Sequence, residues 1–202
     1  EFVEAEAGSR IEHARFSGCQ QGVSLIATSP LIRHSHFEDC DVGVQLLRES
    51  NSVLENNHFS NNRLGLKIGM RSAPQVLNNQ FLQNTDVAIV VSNNSRGLIE
   101  GNLFRDNKMG LSVQRSFEAE VRDNQFINNK TGLYCFQSKN TPLIEANLFQ
   151  GNEIGLSAYS FSYPALRNNR FIDNRTALRN DQFGSALVEH NLFRNNETAI
   201  YN

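Results

Sequence analysis

Short apolar segments alternate with polar bends along the whole chain, and one phenylalanine marks each repeat of this pattern. Successive marker residues, which we call anchors, are 21 to 23 residues apart. The anchors are Phe16, Phe37, Phe59, Phe81, Phe104, Phe126, Phe149, Phe171 and Phe193. A nearly constant period in this range is typical of solenoids, in which each repeat forms one turn that stacks on its neighbours.

The positions around the anchor repeat as regularly as the anchor itself. An aliphatic residue always stands five positions before it, and a small residue followed by an aliphatic one begins six or seven positions after it. Asparagine stands two positions before the anchor and three positions after it in the last seven repeats. The repeat unit is therefore aliphatic-x-x-Asn-x-Phe-x-x-Asn-x-x-Gly-Leu.

The apolar segments are too short for helices, and no period of 3.6 residues runs through them. They predict three short strands per turn, separated by bends at Asn and Gly, which tolerate left-handed backbone angles. Equivalent residues of stacked turns lie ~4.8 Å apart, so Asn side chains can bond from turn to turn and Phe rings can form an internal stack. The sequence predicts one all-β domain over residues 1–202, a parallel β-helix solenoid of about nine turns of about 22 residues, with internal Asn and Phe ladders.

The run of Asn-x-Phe-x-x-Asn-x-x-Gly-Leu units from Ile11 to Ile200 resembles the parallel β-helix repeats of the pectate-lyase-like superfamily. It is similar in style to the repeats of periplasmic and cell-surface proteins such as the nitrous-oxide-reductase maturation protein. The resemblance implies a right-handed β-helix and a periplasmic, cell-surface or secreted location. It selects no activity, because one fold hosts many functions.

Bulk properties narrow the range of partners. The net charge is −2 and no block of like charges occurs, so no global field attracts nucleic acid. No apolar run reaches the ~18 residues of a membrane span. The chain begins and ends within a repeat, at Glu1 and Asn202, without a capping helix or a polar terminal repeat. Because end turns expose core residues, we expect it to be part of a longer chain or to make end-to-end contacts with other chains.

Aromatic residues in turns five to eight form the candidate carbohydrate site. Tyr134, Phe136 and Tyr159 stand eight or ten positions after their anchors, on the strand that follows the Gly bend. Exposed aromatic faces beside charged groups are typical of sugar sites, and the resemblance implies polysaccharide on this outer face. The predicted ligand-binding residues are Tyr134, Phe136, Tyr159, Phe161, Tyr163, Arg115, Arg179 and Asp181, with Phe117, Lys139 and Phe183 nearby. The alternative is a group of turn aromatics that pack only on each other.

Histidines form a second candidate site at the start of the repeats. His13 and His34 stand three positions before their anchors, and His36 and His58 stand one before theirs. Stacking can bring His34, His36 and His58 close enough to bind a transition metal. The resemblance to the copper-related nitrous-oxide-reductase maturation protein favours this idea. The alternative is ordinary surface histidine. No cofactor is otherwise expected, and calcium or copper has no further support.

Cys19 and Cys40 replace the first two Asn of the ladder that stands three positions after the anchor. Their Cα atoms are expected ~4.8 Å apart, which lies within the range that permits a disulfide. The sequence leaves two alternatives, a disulfide or a pair of small buried thiols. Cys135 is expected in the core, and none of the three has the spacing of a zinc site.

The sequence favours a non-catalytic function over an enzymatic one. Enzymes of the superfamily usually carry long loops, whereas the turns of this chain are short. Asp39, Asp106 and Asp173 share one column but stand three turns apart, too far for the ~5–10 Å carboxylate pair of a glycosidase. We therefore predict an extracytoplasmic scaffold or carbohydrate-binding module. A polysaccharide lyase, hydrolase or epimerase is the first alternative, and a periplasmic metal-handling factor is the second.

Overall fold

The computed structural model describes residues 2–3, 8–115, 119–138 and 141–202. Within these ranges, 28 strands form three parallel sheets that wrap into a right-handed solenoid. The prediction of an all-β, right-handed parallel β-helix is thereby confirmed. Nine strands stack in each of the two shorter sheets, and the eight steps between them make about eight full turns, close to the nine predicted.

Sheet I contains the longest strand of each turn and positions the candidate site. Its ten strands are, in order, β1 (Phe2–Val3), β4 (Gln21–Ile26), β7 (Val42–Leu47), β10 (Leu64–Ile68), β13 (Val87–Ser92), β16 (Met109–Gln114), β19 (Thr131–Phe136), β22 (Ile154–Tyr159), β25 (Thr176–Asp181) and β28 (Thr198–Tyr201).

Sheets II and III are built from short strands that come before and at the anchor. Sheet II contains β2 (Arg10–Glu12), β5 (Leu31–Arg33), β8 (Val53–Glu55), β11 (Gln75–Leu77), β14 (Gly97–Glu100), β17 (Ala119–Arg122), β20 (Leu143–Glu145), β23 (Ala165–Arg167) and β26 (Leu187–Glu189). Sheet III contains β3 (Arg15–Ser17), β6 (His36–Glu38), β9 (His58–Ser60), β12 (Gln80–Leu82), β15 (Leu103–Arg105), β18 (Gln125–Ile127), β21 (Leu148–Gln150), β24 (Arg170–Ile172) and β27 (Leu192–Arg194).

The anchors form a continuous aromatic stack inside the solenoid. Sheet III pairs each anchor with the next in register, as it pairs Phe81 with Phe104. The eight consecutive ring pairs have centroids 4.6–5.1 Å apart and planes within 11° of parallel. Aliphatic side chains from sheets I and II surround these rings and complete the core. The predicted Phe ladder therefore supplies the central part of the hydrophobic core.

Two buried columns of Asn supply hydrogen-bond partners to backbone N–H and C=O groups at the bends. One column lies between sheets II and III, and the other lies between sheets III and I. Asn102 represents them: its Nδ2 donates to Val76 O at 2.8 Å and to Asn124 Oδ1 at 3.0 Å. Its Oδ1 accepts from the Asn79 backbone N–H at 2.8 Å. Each ladder Asn thus connects the turn before it to the turn after it, and both ladders are structural.

The bends themselves differ from the sequence prediction in one respect. The left-handed residue is the one immediately before each ladder Asn, such as Asn56 (φ 55°) and Asn61 (φ 55°), and the ladder Asn is not left-handed. These left-handed sites include Asp39, Asp106 and Asp173, so that acidic column consists of bend residues. The Gly six positions after the anchor has no positive φ either. A Cβ at Gly110 would lie 2.6 Å from Gly132 O and 3.0 Å from the Phe126 ring, so close approach requires this glycine.

Charged side chains alternate in sign along two outward columns beside the bends. One column contains Glu12, Arg33, Glu55, Glu100, Arg122, Glu145, Arg167 and Glu189, and the other contains Asp41, Arg63, Asp86, Lys108, Lys130, Glu153, Arg175 and Glu197. Arg33 lies 2.8 Å from Glu12 and 3.7 Å from Glu55, and Lys108 lies 3.2 Å from Asp86. The alternation is interrupted where Leu77 follows Glu55 and where Lys130 follows Lys108.

Candidate functional site

The predicted carbohydrate-binding aromatics of turns six and seven lie on the outer face of sheet I. Register places Phe136 of β19 directly beside Tyr159 of β22. Successive residues of a strand point to opposite faces. Tyr134 and Phe136 are therefore directed outward, while Cys135 between them is fully buried. The rings of Tyr134, Phe136 and Tyr159 are partly exposed on this face, whereas the small Ser112 and Ser157 of the Tyr134 column are buried.

Tyr134, Phe136 and Tyr159 form a compact group that we call the ring cluster. The ring centroids are 6.0 Å apart for Tyr134 and Tyr159, 6.1 Å for Phe136 and Tyr159, and 6.4 Å for Tyr134 and Phe136. These separations lie within the ~4.5–7 Å of favourable aromatic pairs. Partial burial raises the pKa of Tyr134, and the neighbouring Tyr159 and Cys135 act in the same direction. The Tyr134 phenol therefore stays protonated and can donate a hydrogen bond to a ligand.

A groove of about 470 Å³ lies on the same face toward the last strands. It is lined by Glu153, Ile154, Arg175, Thr176, Arg179, Glu197, Thr198 and Tyr201. Arg179 donates to Asp181 Oδ2 at 2.7 Å, and its guanidinium lies 5.6 Å from the centre of the Tyr201 ring. Arg179, which lines the groove, is hydrogen-bonded to Asp181, the register neighbour of Tyr159, and so connects the groove to the ring cluster.

The acidic side chains of the groove face arginine. Arg175 lies between Glu153, at 3.8 Å, and Glu197, at 3.9 Å. Asp181 accepts from Arg179, as described above. This arrangement suits recognition of hydroxyl groups, because an arginine paired with a carboxylate presents both hydrogen-bond donors and acceptors to a ligand.

A second aromatic pair continues around the edge of sheet I. Phe161 and Phe183 stack with centroids 5.2 Å apart, and their side chains are 44% and 76% exposed. Both residues adopt left-handed backbone angles, with φ of 58° and 65°. This conformation is unfavourable for a bulky side chain. An exposed aromatic pair held in this way is typical of a contact surface.

The remaining predicted residues lie in the turns that follow the strands of sheet I. Arg115 donates to Gln137 Oε1 of the adjacent turn at 2.9 Å. Tyr163 follows Phe161 and is 39% exposed. Phe117 and Lys139, named with them, lie outside the described residues. The structure therefore brings Tyr134, Phe136, Tyr159 and the Arg179–Asp181 pair onto one face and puts the other predicted residues along its border.

Of the eight residues that line the groove, the sequence prediction named only Arg179, and two of the others, Tyr201 and Arg175, stand at repeating positions. Tyr201 stands eight positions after Phe193, the same offset as Tyr134 and Arg179 from their own anchors. Arg175 stands four positions after Phe171, in the alternating charge column. A column-by-column comparison of all nine repeats would have placed both residues in outward columns, although it would not have shown the groove that their side chains line.

The histidines form two separate pairs. His13 and His34 stack with centroids 5.2 Å apart, and His36 and His58 are 5.5 Å apart in sheet III. In the part of the chain that the structure describes, no group of three or more His, Cys, Asp or Glu side chains is arranged to hold a metal ion. The site at His34, His36 and His58 therefore gains no geometric support.

The three cysteines are free thiols in this structure. Cys40 and Cys135 are buried, and Cys19 is partly exposed. Burial raises the pKa of the Cys135 thiol to about 12, as expected for an inert core residue. The disulfide between Cys19 and Cys40 stays a prediction.

None of the described residues forms a helix that is long and apolar enough to cross a membrane. A comparison with the curated proteins finds no significant match. A family model described as "Right handed beta helix region" matches residues 2–126 and again residues 84–202. Two overlapping matches are expected of a repeat protein, because its units are interchangeable in an alignment. Together with the three stacked parallel sheets, this result shows that the chain belongs to the right-handed beta-helix family.

Proposed function

We propose that this protein is an extracytoplasmic carbohydrate-binding module or scaffold, and that the outer face of sheet I in turns six to nine binds polysaccharide. The face comprises the ring cluster and the adjacent groove. A location in the periplasm, on the cell surface or in the secreted fraction belongs to this proposal, because structural polysaccharides occur in those compartments.

The observation that carries the proposal is the concentration of aromatic rings on one part of an otherwise polar and aliphatic sheet. The ring-cluster columns hold Ser24 and Ile26 in β4, and Ser112 and Gln114 in β16. Aromatic rings replace such residues only in the later strands, beside Arg179. A sugar ring offers an apolar face for stacking and hydroxyl groups at its rim, which matches rings bordered by charged side chains.

The charges of the groove favour binding as the proposed role, ahead of catalysis. A glycosidase needs one carboxyl group that gives up a proton and a second that acts as base or nucleophile. Glu153 and Glu197 both face Arg175, and Asp181 accepts from Arg179. Each of these carboxylates thus has an arginine as its neighbour, and together they offer a ligand hydrogen-bond acceptors beside donors, which suits the binding of sugar hydroxyl groups.

Affinity electrophoresis tests the proposal with soluble polysaccharides of three chemistries: neutral xylan, anionic polygalacturonate and amino-substituted chitosan. We expect at least one of them to retard the protein. Tyr159→Ala, which removes the ring in contact with both others, should weaken that retention about tenfold, or about 1.4 kcal/mol. Arg179→Ala should also weaken it.

The matched control is Gln125→Ala, an exposed substitution on the outer face of sheet III. It should bind as the unaltered protein does, and circular dichroism should show that all variants keep their strands. Retention by none of the three polysaccharides, or equal retention of Tyr159→Ala and Gln125→Ala, would contradict the proposal.

A further inference from the structure

The first two turns carry Cys19 and Cys40 where the next seven carry a ladder Asn. We propose that these two thiols are a redox-sensitive modification site and that a small-molecule disulfide oxidant joins them into a cross-link between adjacent turns. This inference is independent of the polysaccharide proposal, because the two cysteines lie in turns one and two and the ring cluster in turns six and seven.

Backbone register brings the two cysteines together. Sheet III pairs Phe16 with Phe37 and Ser17 with Glu38. The register continues beyond these strands, since Asp41 N–H donates to Cys19 O at 2.8 Å. Residues in register on parallel strands are ~4.8 Å apart. Disulfides join Cα atoms ~4.4–6.8 Å apart, so the separation of the two backbones permits one.

The side chains are oriented alike, which aligns the two sulfur atoms. Cys19 Sγ lies 3.4 Å from Ser17 O, and Cys40 Sγ lies 3.3 Å from Glu38 O, in each case the carbonyl two residues earlier. Cys40 Sγ also lies 3.9 Å from Phe16 O of the preceding turn, the equivalent of the carbonyl to which ladder Asn62 Nδ2 donates in the next turn. Burial raises the pKa of the Cys40 thiol. A smaller fraction of Cys40 is therefore present as the thiolate, which slows its direct reaction with an oxidant.

Unequal exposure sets the order of the reaction. Cys19 is partly exposed and Cys40 is buried, so the oxidant reaches Cys19 first. The Cys19 thiolate attacks one sulfur of the oxidant RSSR, forms a mixed disulfide and releases one RSH after protonation. The Cys40 thiolate then attacks the Cys19 sulfur and releases a second RSH. The net reaction converts two protein thiols and RSSR into one protein disulfide and two RSH.

Peptide mapping tests this on the full chain with oxidised glutathione as RSSR. The protein is oxidised, denatured, alkylated with iodoacetamide without reduction, and digested with trypsin. Cleavage after Arg15, Arg33 and Arg48 separates the two cysteines into peptides 16–33 and 34–48. We expect these peptides to be linked by a disulfide, with Cys135 alkylated. Full alkylation of both peptides, or glutathione on each without a link, would overturn the proposal.

Two variants keep the test independent of folding defects. In the double variant Cys19→Asn with Cys40→Asn, both positions receive the residue that occupies the ladder in the other seven turns, so the fold should persist without the cross-link. Its melting temperature should be the same with and without oxidant, whereas that of the unaltered protein should rise on oxidation. Cys135→Ser should retain the linked peptides. Loss of the link in Cys135→Ser would count against the assignment of Cys19 and Cys40.

Discussion

Individual ladder residues hold the bends of this solenoid by hydrogen bonding in two directions. Asn102 donates to carbonyls of Val76 and Glu100 and exchanges bonds with the Asn residues of the turns before and after it. Apolar side chains could fill the same volume, but they would leave these buried backbone groups without partners. The abundance of Asn in the sequence therefore reports backbone satisfaction and carries no functional information.

Asn102→Ala should be strongly destabilising. It removes the acceptor of the Asn79 N–H and the donor to Val76 O, and both groups are buried. Each buried group left unsatisfied costs about 1–3 kcal/mol, so we expect a loss of at least about 2 kcal/mol in the free energy of unfolding. Urea denaturation measures this, with the exposed Gln125→Ala as control. A loss similar to that of the control would contradict the structural role of the ladder.

His58 should make stability depend on pH. Burial lowers its pKa below the ordinary value, and the neighbouring His36 lowers it further. The folded state therefore favours the neutral ring, and stability that is complete above about pH 6.5 should decline as the pH falls toward the lowered value. His58→Gln should flatten this decline in urea denaturation between pH 7.5 and 5.0. The exposed Gln125→Ala, which removes no titratable group, should leave the decline unchanged. A pH profile of His58→Gln identical to that of the unaltered protein would contradict the assignment.

At the residue scale the sequence predicted the Asn and Phe ladders, but it did not reveal why each repeated residue type is required. Asn and Phe at constant offsets from the anchor leave no other stacking arrangement. The reason for glycine at Gly110 could not be found in the sequence, because the 2.6 Å approach to Gly132 O depends on the next turn. The stacking of His13 on His34, by contrast, follows from their equal offset from the anchor.

Elements of this fold are single strands whose neighbours are always the equivalent strands of adjacent turns. Charge alternation beside the bends follows from this arrangement, because each charged residue has equivalent residues on both sides. Arg33 illustrates it, with Glu12 on one side and Glu55 on the other. The alternation opposes a shift of one turn in register, because such a shift would place like charges side by side.

Arg33→Glu should therefore destabilise the protein in a salt-dependent way. The substitution places three like charges in one column, but these side chains are about one quarter to two fifths exposed. We expect a modest loss of about 1 kcal/mol at low salt, decreasing toward zero in 1 M NaCl. Arg33→Gln, which removes the attraction without adding repulsion, should cost less. A loss that is equal at both salt concentrations would indicate a packing effect instead.

The strands themselves could be predicted from the sequence, whereas the groove could not. Tyr134 stands eight positions after its anchor, and Phe136 and Tyr159 stand ten after theirs. These offsets placed the three residues on the strand that follows the Gly bend. The groove depends on how far long side chains extend, above all Arg175 and Arg179. Rotamers of such side chains are determined by their neighbours in three dimensions and leave no periodic signal in the sequence.

The whole molecule is a stack in which the strands of each described turn pair with those of the turns before and after it, so the effect of a substitution should depend on its turn. Phe104 stacks on Phe81 and Phe126, whereas Phe193 of the last described turn stacks on Phe171 alone. Phe104→Ala should cost about 3–5 kcal/mol, and Phe193→Ala at least about 1 kcal/mol less. Urea denaturation measures both. Equal losses would show that the stack does not behave as a chain of nearest neighbours.

Near-constant turn length has a consequence for how binding surfaces can change on this protein. Every outward residue of sheet I is specified by its turn and its column, and its side chain points away from the Phe stack. A ring introduced at Gln114, beside Phe136 in the adjacent strand, would extend the aromatic surface by one step of ~4.8 Å. The binding surface can therefore be lengthened, shortened or moved along the solenoid axis by one turn at a time, while the core residues remain the same.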